Sequence, residues 1–210
     1  MKNPEKFQLE EILRTRSGTA HPESVVGSLS NYYDLVLKWN PRLHLTTVTD
    51  PLEFARRHLG EAEFAAGRIL ESIEEVWDLG TGLGIPGIPI AILRPDLRVK
   101  LVESNRAKAI FLEETISELE LDKAEVIRGR IDSLAELPEA ACATIRAVER
   151  MERVLVDVLR IGSRCKQILV FGNPEIESLL KSLAPGSGRI QSWLIPGSER
   201  RYLIQSIRFT

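Results

Sequence analysis

The sequence predicts an α/β protein built on a mostly parallel sheet with helices on both faces. From about residue 76 onward, short apolar segments alternate with segments of helical periodicity, a pattern typical of strands joined by helical crossovers. The first apolar segment leads through a glycine-rich turn into a helix, as in Rossmann-like folds. Two final apolar segments, 189–195 and 202–209, flank Pro196-Gly197-Ser198 and predict a closing antiparallel hairpin. We therefore expect residues 72–210 to form one compact Rossmann-like core, preceded by a helical extension over residues 1–71.

The extension is predicted to contain three helices. Apolar side chains at helical spacing predict the first two over about residues 4–16 and 23–38. Asn40-Pro41 is expected to end the second helix, because proline cannot continue the hydrogen-bond ladder. Asp50-Pro51 is typical of a helix start and predicts the third.

The core is predicted to contain five strands and the helices between them, ahead of the hairpin. We expect Pro86 at the first position of the helix after the glycine turn, where its missing N–H needs no intrahelical partner. Ligands of such sheets bind beyond the carboxyl ends of the strands. After the first strand near residues 76–79, the predicted strands cover 99–103, 124–127, 141–145 and 167–171, and the predicted helices cover 88–93, 106–119, 151–160 and 174–183.

The composition is that of an ordinary globular protein. Of 210 residues, 43% are hydrophobic and 28% are charged, and no apolar run approaches the ~20 residues of a membrane span. The three histidines and two cysteines match no metal-ligand spacing. A net charge of −2 argues against bulk electrostatic binding of nucleic acid and leaves room for a local basic face. We expect a cytoplasmic protein that binds no metal and no membrane.

The stretch around the glycine turn fits two cofactor fingerprints. Gly82 to Gly87 matches G-x-G-x-x-G, which places the pyrophosphate of a dinucleotide at a helix N-terminus. One register earlier, Asp78 to Gly84 matches D-x-G-x-G-x-G, the turn used for S-adenosylmethionine, with Gly80 as its first glycine. Glycine suits either turn, because it allows positive φ and close approach of a ligand to the backbone.

Electrostatics favours S-adenosylmethionine. Asp78 is expected at the carboxyl end of the first strand, where its carboxylate would repel a pyrophosphate. It would attract the ammonium group of a methionine moiety, directly or through water. Glu103, which closes the second strand, lies where a ribose-binding acid is expected for either cofactor. We therefore predict that Asp78 and Glu103 help to bind S-adenosylmethionine, and an NAD-dependent oxidoreductase is the alternative.

The segment Gly80 to Pro89, Gly-Thr-Gly-Leu-Gly-Ile-Pro-Gly-Ile-Pro, resembles the glucose-inhibited division protein B family. Its doubled Gly-Ile-Pro is far more specific than a glycine fingerprint alone. The resemblance implies a bacterial S-adenosylmethionine-dependent methyltransferase that acts on N7 of a guanosine in small-subunit (16S) ribosomal RNA. The supporting segments are Lys38-Trp39-Asn40, Leu45-Thr46, Asp50-Pro51, Arg57-His58, Arg94-Pro95 and Arg146-Ala147.

The same resemblance implies a class I methyltransferase fold and a set of cofactor contacts. Gly80 and Ile85 would lie near the methionine portion, and Ile131 and Asp132 beside the adenine. Arg146 would face the cleft, where it anchors a cofactor carboxylate or an RNA phosphate, and it is the one candidate for a catalytic role.

The implied partner is small-subunit ribosomal RNA or a ribosomal particle, and we expect a monomer. No coiled-coil heptad or exposed apolar helix in the sequence demands a protein partner. If the fold gathers basic side chains around the cleft, they would hold RNA phosphates. The candidates are Lys38, Arg42, Arg56, Arg57, Arg128, Arg130, Arg146, Arg150 and Arg153.

The sequence departs from the family's pattern at two places assigned to the substrate side. Glu61-Ala62 stands where the family has Asp-Ser, and Gly172-Asn173 where it has Lys-Gly. These departures keep a third alternative open, a catalytically inactive module that binds S-adenosylmethionine for regulation.

Overall fold

The computed structural model describes residues 4–15, 21–146, 151–183 and 188–208. Their centre is one seven-stranded sheet. Its strands are β1 Glu75–Leu79, β2 Arg98–Glu103, β3 Ala124–Arg128, β4 Ala141–Arg146, β5 Gln167–Gly172, β6 Arg189–Leu194 and β7 Tyr202–Ile207.

The sheet has the order β3-β2-β1-β4-β5-β7-β6. Strands β1 to β5 are parallel to one another, and β7 lies antiparallel between β5 and β6. β1, β4 and β5 are buried along nearly their whole length, because a parallel sheet is covered on both faces. The predicted mostly parallel sheet with a closing antiparallel hairpin is confirmed.

Eight α-helices are seen in the described residues. A π-helical turn, Ala55–Leu59, joins the third to the fourth, and a 3-10 turn, Ile131–Ser133, follows β3. The α-helices are α1 Pro4–Thr15, α2 Glu23–Leu43, α3 Pro51–Phe54, α4 Gly60–Ala66, α5 Gly87–Leu93, α6 Arg106–Glu118, α7 Met151–Ile161 and α8 Pro174–Leu183. The predicted ends at Arg16 and Phe209 lie outside the described residues.

The prediction that Asn40-Pro41 ends the second helix is wrong. Helix α2 continues through Pro41 to Leu43 and ends at His44, whose left-handed φ of 48° closes it. The His44 N–H donates to the carbonyl of Asn40 at 2.9 Å. A proline this close to the helix end removes only one hydrogen bond of the last turn. The bond that closes the helix, from His44 to Asn40, is formed after the proline.

The third helix begins as predicted. Asp50 accepts a hydrogen bond from the N–H of Glu53 at 2.9 Å, and Pro51 follows it in the first turn. The helix then widens into the π-helical turn before α4 resumes. Such a turn inserts an extra residue and is frequent at functional sites.

The helices cover both faces of the sheet. Buried apolar residues of α1 to α6 form one core with Val76 and Val99, and those of α7 and α8 form a second core with Val102 and Ile145. The helical extension therefore packs directly on the sheet. In the described part of the chain, the helices are too short or too polar to cross a membrane.

Candidate active site

The cleft lies where the strand order reverses. β1 is flanked by β2 on one side and β4 on the other, which leaves a crevice at their carboxyl ends. Two cavities of about 370 and 500 Å³ open there, and Gly80 lines both. The smaller cavity reaches the ends of β2 and β3, and the larger one reaches the helical extension and the end of β4.

The glycine turn needs its glycines for two different reasons. Gly80, Gly82 and Gly84 have φ values of 71°, 61° and 99°, in the left-handed region that favours glycine. A Cβ on Gly84 would lie 2.7 Å from Cγ1 of Ile88, so packing demands glycine there. A Cβ on Gly82 would meet no protein atom closer than 4.0 Å, so this position is open towards a ligand.

Contrary to expectation, Pro86 is not the first residue of helix α5, and the helix begins one residue before the predicted range 88–93. Pro86 precedes the helix as its N-cap, and Gly87 is the first helical residue. The Pro86 carbonyl accepts the N–H of Ile90 at 3.0 Å, which already starts the helical ladder. Ile85 is 2% exposed and lines the larger cavity.

Asp78 lies beneath the turn and is only 1% exposed. One carboxylate oxygen accepts the Thr144 hydroxyl at 2.8 Å, and the other accepts the Thr81 hydroxyl at 2.5 Å and the Gly87 N–H at 2.9 Å. Burial raises the pKa of Asp78, and these three donors oppose the rise. The carboxylate has almost no open surface, and its predicted attraction of an ammonium group, directly or through water, stays a prediction. In the structure it organises the turn through these three hydrogen bonds.

Glu103, at the end of β2, forms a hydrogen bond with the glycine turn. Its two oxygens accept the N–H groups of Gly82 at 3.0 Å and Asn105 at 2.7 Å. The side chain is 7% exposed. Its predicted contact with a ribose stays a prediction, and its contact with the turn was not foreseen.

Ile131 and Asp132 line the smaller cavity from the 3-10 turn after β3. Arg130 pairs with Asp132 at 2.8 Å, and its hydrogen bonds lower the pKa of that carboxyl group. Arg153 lies across the same cavity on α7. Both Ile131 and Asp132 border a cavity at the carboxyl ends of the strands, where a ligand is expected. The adenine site at these two residues stays a prediction.

Arg146 lies at the end of β4, 8% exposed, and lines the larger cavity. Its Nε donates to Glu61 at 2.9 Å, and its Nη2 donates to the carbonyl of Arg57 at 3.2 Å and to Nδ1 of His58 at 3.0 Å. Glu61 is 2% exposed and also pairs with Arg201 at 2.9 Å. Within the described residues no hydrogen bond of Arg146 Nη1 is seen.

His58 is held neutral beside this arginine. Burial, then the charge of Arg146, lowers the pKa of His58 to about 3. Because a guanidinium only donates, Nδ1 must be the acceptor, and Nε2 carries the hydrogen that it donates to the Thr46 hydroxyl at 3.0 Å. The ring therefore has no free lone pair.

Sequence reasoning missed three contributors to the cleft. Arg201, from the loop before β7, and Lys108, from α6, line the larger cavity. Tyr32 is fully buried in α2 and donates its hydroxyl to the carbonyl of Leu83 at 2.8 Å, which ties the helical extension to the glycine turn. The one signal for Arg201 in the sequence is the Arg200-Arg201 pair after the hairpin's Pro-Gly.

The fold gathers only some of the basic residues named from the sequence. Arg57 and Arg146 line the larger cavity, and Arg130 and Arg153 line the smaller one. Lys38 instead pairs with Glu114, and Arg150 lies outside the described residues. In the ranges that the structure describes, no three His, Cys, Asp or Glu side chains are grouped as a metal site requires.

Solved structures support the fold. The chain is similar to an S-adenosylmethionine-dependent methyltransferase, SibL, at a TM-score of 0.62 and 14% identity, over 98% of this chain and 74% of that one. It is similar to a putative methyltransferase of Methanococcus maripaludis at a TM-score of 0.59 and 14% identity, over 92% and 98% of the chains. At such identities the likeness shows the class I methyltransferase fold, which confirms the predicted architecture.

Sequence relatives and a family model identify the family. The chain is 36% identical to the ribosomal RNA small subunit methyltransferase G of Xanthomonas axonopodis pv. citri over 181 residues, 84% of each chain. It is 31% identical to that of Solibacter usitatus over 167 residues, 78% of each. The GidB family model, described as rRNA small subunit methyltransferase G, matches residues 26–178. Methyl transfer thus prevails over the oxidoreductase alternative, and the chain belongs to the GidB family of small-subunit ribosomal RNA methyltransferases.

Proposed function

We propose that this chain transfers the methyl group of S-adenosylmethionine to N7 of a guanosine in small-subunit ribosomal RNA. The observation that carries the proposal is the pair of cavities that meet at Gly80, at the switch point of a chain of this family. One cavity suits a nucleoside, and the other is lined by the buried Arg146.

The turn side fits the cofactor. The open face of Gly82 and the borders of the smaller cavity at Ile131 and Asp132 allow an adenosine to lie against the backbone. Gly80, Gly84, Ile85 and the charges of Asp78 and Glu103 complete the proposed cofactor side. When bound, S-adenosylmethionine supplies an electrophilic methyl group.

The arginine side fits a reaction that needs no general base. Guanine N7 presents a lone pair in the plane of the base, so no proton has to leave before attack. His58 has both ring nitrogens engaged and a pKa of about 3, and it cannot accept a proton near neutral pH. The remaining tasks are alignment of the base and exclusion of water.

Arg146 is proposed to position an anion. The methyl group moves from sulfur to N7, so the positive charge moves onto the guanine, and a bare cation nearby would oppose that product. Glu61 offsets the charge of Arg146 at 2.9 Å, and the Nη1 of Arg146 is proposed to donate to a carboxylate or phosphate. Its role is to anchor, and its charge does not stabilise the product.

We also propose a monomer that works in the cytoplasm on structured RNA or a ribosomal particle. The net charge of −2 gives little long-range attraction to RNA, so shape and the local arginines have to supply recognition. Short random oligonucleotides should be poor substrates.

The test is transfer of a labelled methyl group to ribosomal RNA from a strain that lacks the modification, followed by mass spectrometry of nucleosides. We expect label in N7-methylguanosine alone. Label on an exocyclic amine, a ribose oxygen or a protein would refute the proposal. Tight cofactor binding without transfer to any RNA or particle would favour the regulatory module instead.

A further inference from the structure

A third cavity lies beside the larger one and is strongly basic. This side pocket has a volume of about 340 Å³ and is formed by the π-helical turn and the hairpin loop between β6 and β7. Arg57, Glu61 and Arg201 line it, and Arg57 and Arg201 also line the larger cavity. The two spaces are therefore adjacent and share two guanidinium groups.

Positive charge in the side pocket exceeds negative charge. Four arginines line it, Arg56, Arg57, Arg200 and Arg201, against Glu61 and Glu199. Glu61 also has to balance Arg146, which lies outside the pocket. Arg56 pairs with Glu53, whereas the side chains of Arg57 and Arg200 show no ion pair within the described ranges.

Arg57, Arg146 and Arg201 lie close enough for their charges to act on one another. Burial and then the charges of Arg146 and Arg57 lower the pKa of Arg201, and Glu61 opposes this effect. Arg57 and Arg201 likewise disfavour the charged form of His58. Like charges held this close are costly unless an anion joins them.

The hairpin loop between β6 and β7 is held by hydrogen bonds among its own residues. The N–H of Ile195 donates to the Arg201 carbonyl at 2.9 Å, and the Ser198 hydroxyl oxygen accepts the N–H of Arg201 at 3.0 Å. Gly197 has a φ of 75°, and a Cβ there would touch the stem of Arg56 at 3.5 Å. The backbone that carries Arg200 and Arg201 is thus fixed before any ligand arrives, which lowers the entropic cost of binding.

We propose that the side pocket binds a backbone phosphate of the substrate RNA, held by Arg57, Arg200 and Arg201, next to the nucleotide that enters the larger cavity. This inference rests on the proposed function for its choice of ligand. Arginine forks match phosphate oxygens in geometry and stay charged at every relevant pH. The shared wall with the larger cavity favours the same RNA chain over an acidic protein.

The test measures how RNA affinity depends on salt, because each phosphate contact adds about one unit to the slope of log Kd against log salt. Filter binding would use small-subunit ribosomal RNA with S-adenosylhomocysteine present, so that no turnover is needed. We expect Arg200→Gln and Arg57→Gln each to lower the slope, by at most about one because the pocket holds one phosphate, and Arg200→Lys to keep it. The matched control is Arg164→Gln, an exposed arginine before β5, at the opposite edge of the sheet.

Steady-state kinetics gives a second measurement. We expect Arg200→Gln to raise KM for RNA about five- to tenfold, with kcat and cofactor affinity within twofold of wild type. A slope for Arg200→Gln equal to that of Arg164→Gln would overturn the inference and leave the proposed function standing. Absence of methyl transfer by wild type, with the slope still lowered by Arg200→Gln, would overturn the function and leave the phosphate site. A wild-type chain that binds no RNA would overturn both.

Discussion

The two walls of the cleft are built in opposite ways. The turn wall, residues 76–87 with Glu103, uses backbone groups, and the side-chain hydrogen bonds within it join residues 3, 9 and 21 positions apart. Its ties to Thr144 and Tyr32, in other elements, span 66 and 51 positions. The arginine wall, Arg146 with Glu61, His58 and Arg201, uses charged side chains from separate elements. Two of its hydrogen bonds join residues 85 and 88 positions apart.

This difference sets what each wall tolerates. The turn wall is specified by shape, so an added side chain disturbs it. The arginine wall is specified by charge balance, because one buried carboxylate serves two guanidinium groups. We therefore expect mutations in the turn wall to lower ligand affinity and mutations in the arginine wall to lower the free energy of unfolding.

The largest expected effect follows from removal of the shared carboxylate. Glu61→Gln keeps the size of the side chain and leaves Arg146 and Arg201 without a counter-charge in a buried place. We expect a loss of about 3 kcal/mol in the free energy of unfolding, the lower end of the range for a broken buried ion pair. Urea denaturation measures this loss, and calorimetry with S-adenosylhomocysteine should find cofactor affinity within a fewfold of wild type.

Glu113→Gln is the matched control, because Glu113 is exposed on α6. It should change stability by no more than about 0.5 kcal/mol. Equal stability of the two variants would mean that the arginine wall is not held by charge. A large loss of cofactor affinity in Glu61→Gln would mean that the two walls are coupled.

The same contrast explains how much of the site could be predicted from the sequence. The turn wall is contiguous, so its glycines and Glu103 could be placed from one stretch and the next strand end. The partnership of Arg146, Glu61 and Arg201 could not, because only the finished sheet and hairpin bring those elements together. Even within the turn, the burial of Asp78 was missed, since its partner Thr144 comes from the neighbouring strand β4.

The fold was predicted more completely than the site for a related reason. Strand and helix periodicity is local, and β2, α7 and α8 lie within two residues of their predicted bounds. The exception was the end of α2, where Pro41 is accommodated in the last turn by a closing bond at His44. Whether 1–71 is a separate extension stays a prediction, because its helices share one core with the sheet.

The next largest effect is expected for a substitution in the turn wall. Gly82→Val would place a branched side chain on the open face of the turn, and we expect about a hundredfold loss of cofactor affinity, or ~2.7 kcal/mol. The fold should survive, since an added Cβ meets no protein atom closer than 4.0 Å. Its left-handed φ of 61° should cost about 1–2 kcal/mol of stability.

Gly197→Val separates strain from occlusion. Gly197 has a similar φ of 75° and lies in the hairpin loop. Calorimetry should show unchanged cofactor affinity for this variant at a comparable cost in thermal stability. If both variants lost affinity alike, backbone strain rather than the open face of Gly82 would explain the effect.

The smallest expected effect concerns the neutral histidine of the arginine wall. The pKa of His58 is about 3 in the folded chain and near 6.5 when unfolded. Above pH 6.5 neither state holds the proton, so His58 adds no pH dependence there. As pH falls from 6.5 towards 3, the unfolded chain takes up a proton that the folded chain refuses, and stability is lost at up to ~1.4 kcal/mol per pH unit.

His58→Gln should remove this part of the pH dependence, because glutamine can still accept from Arg146 and donate to Thr46 but does not titrate. Denaturation between pH 7 and 5 would show wild type losing about 1–2 kcal/mol more than the variant. The control His44→Asn changes an exposed histidine in a left-handed position that asparagine tolerates, and it should follow wild type. Parallel curves for wild type and His58→Gln would show that His58 titrates normally, and it could then serve as a base in the cleft.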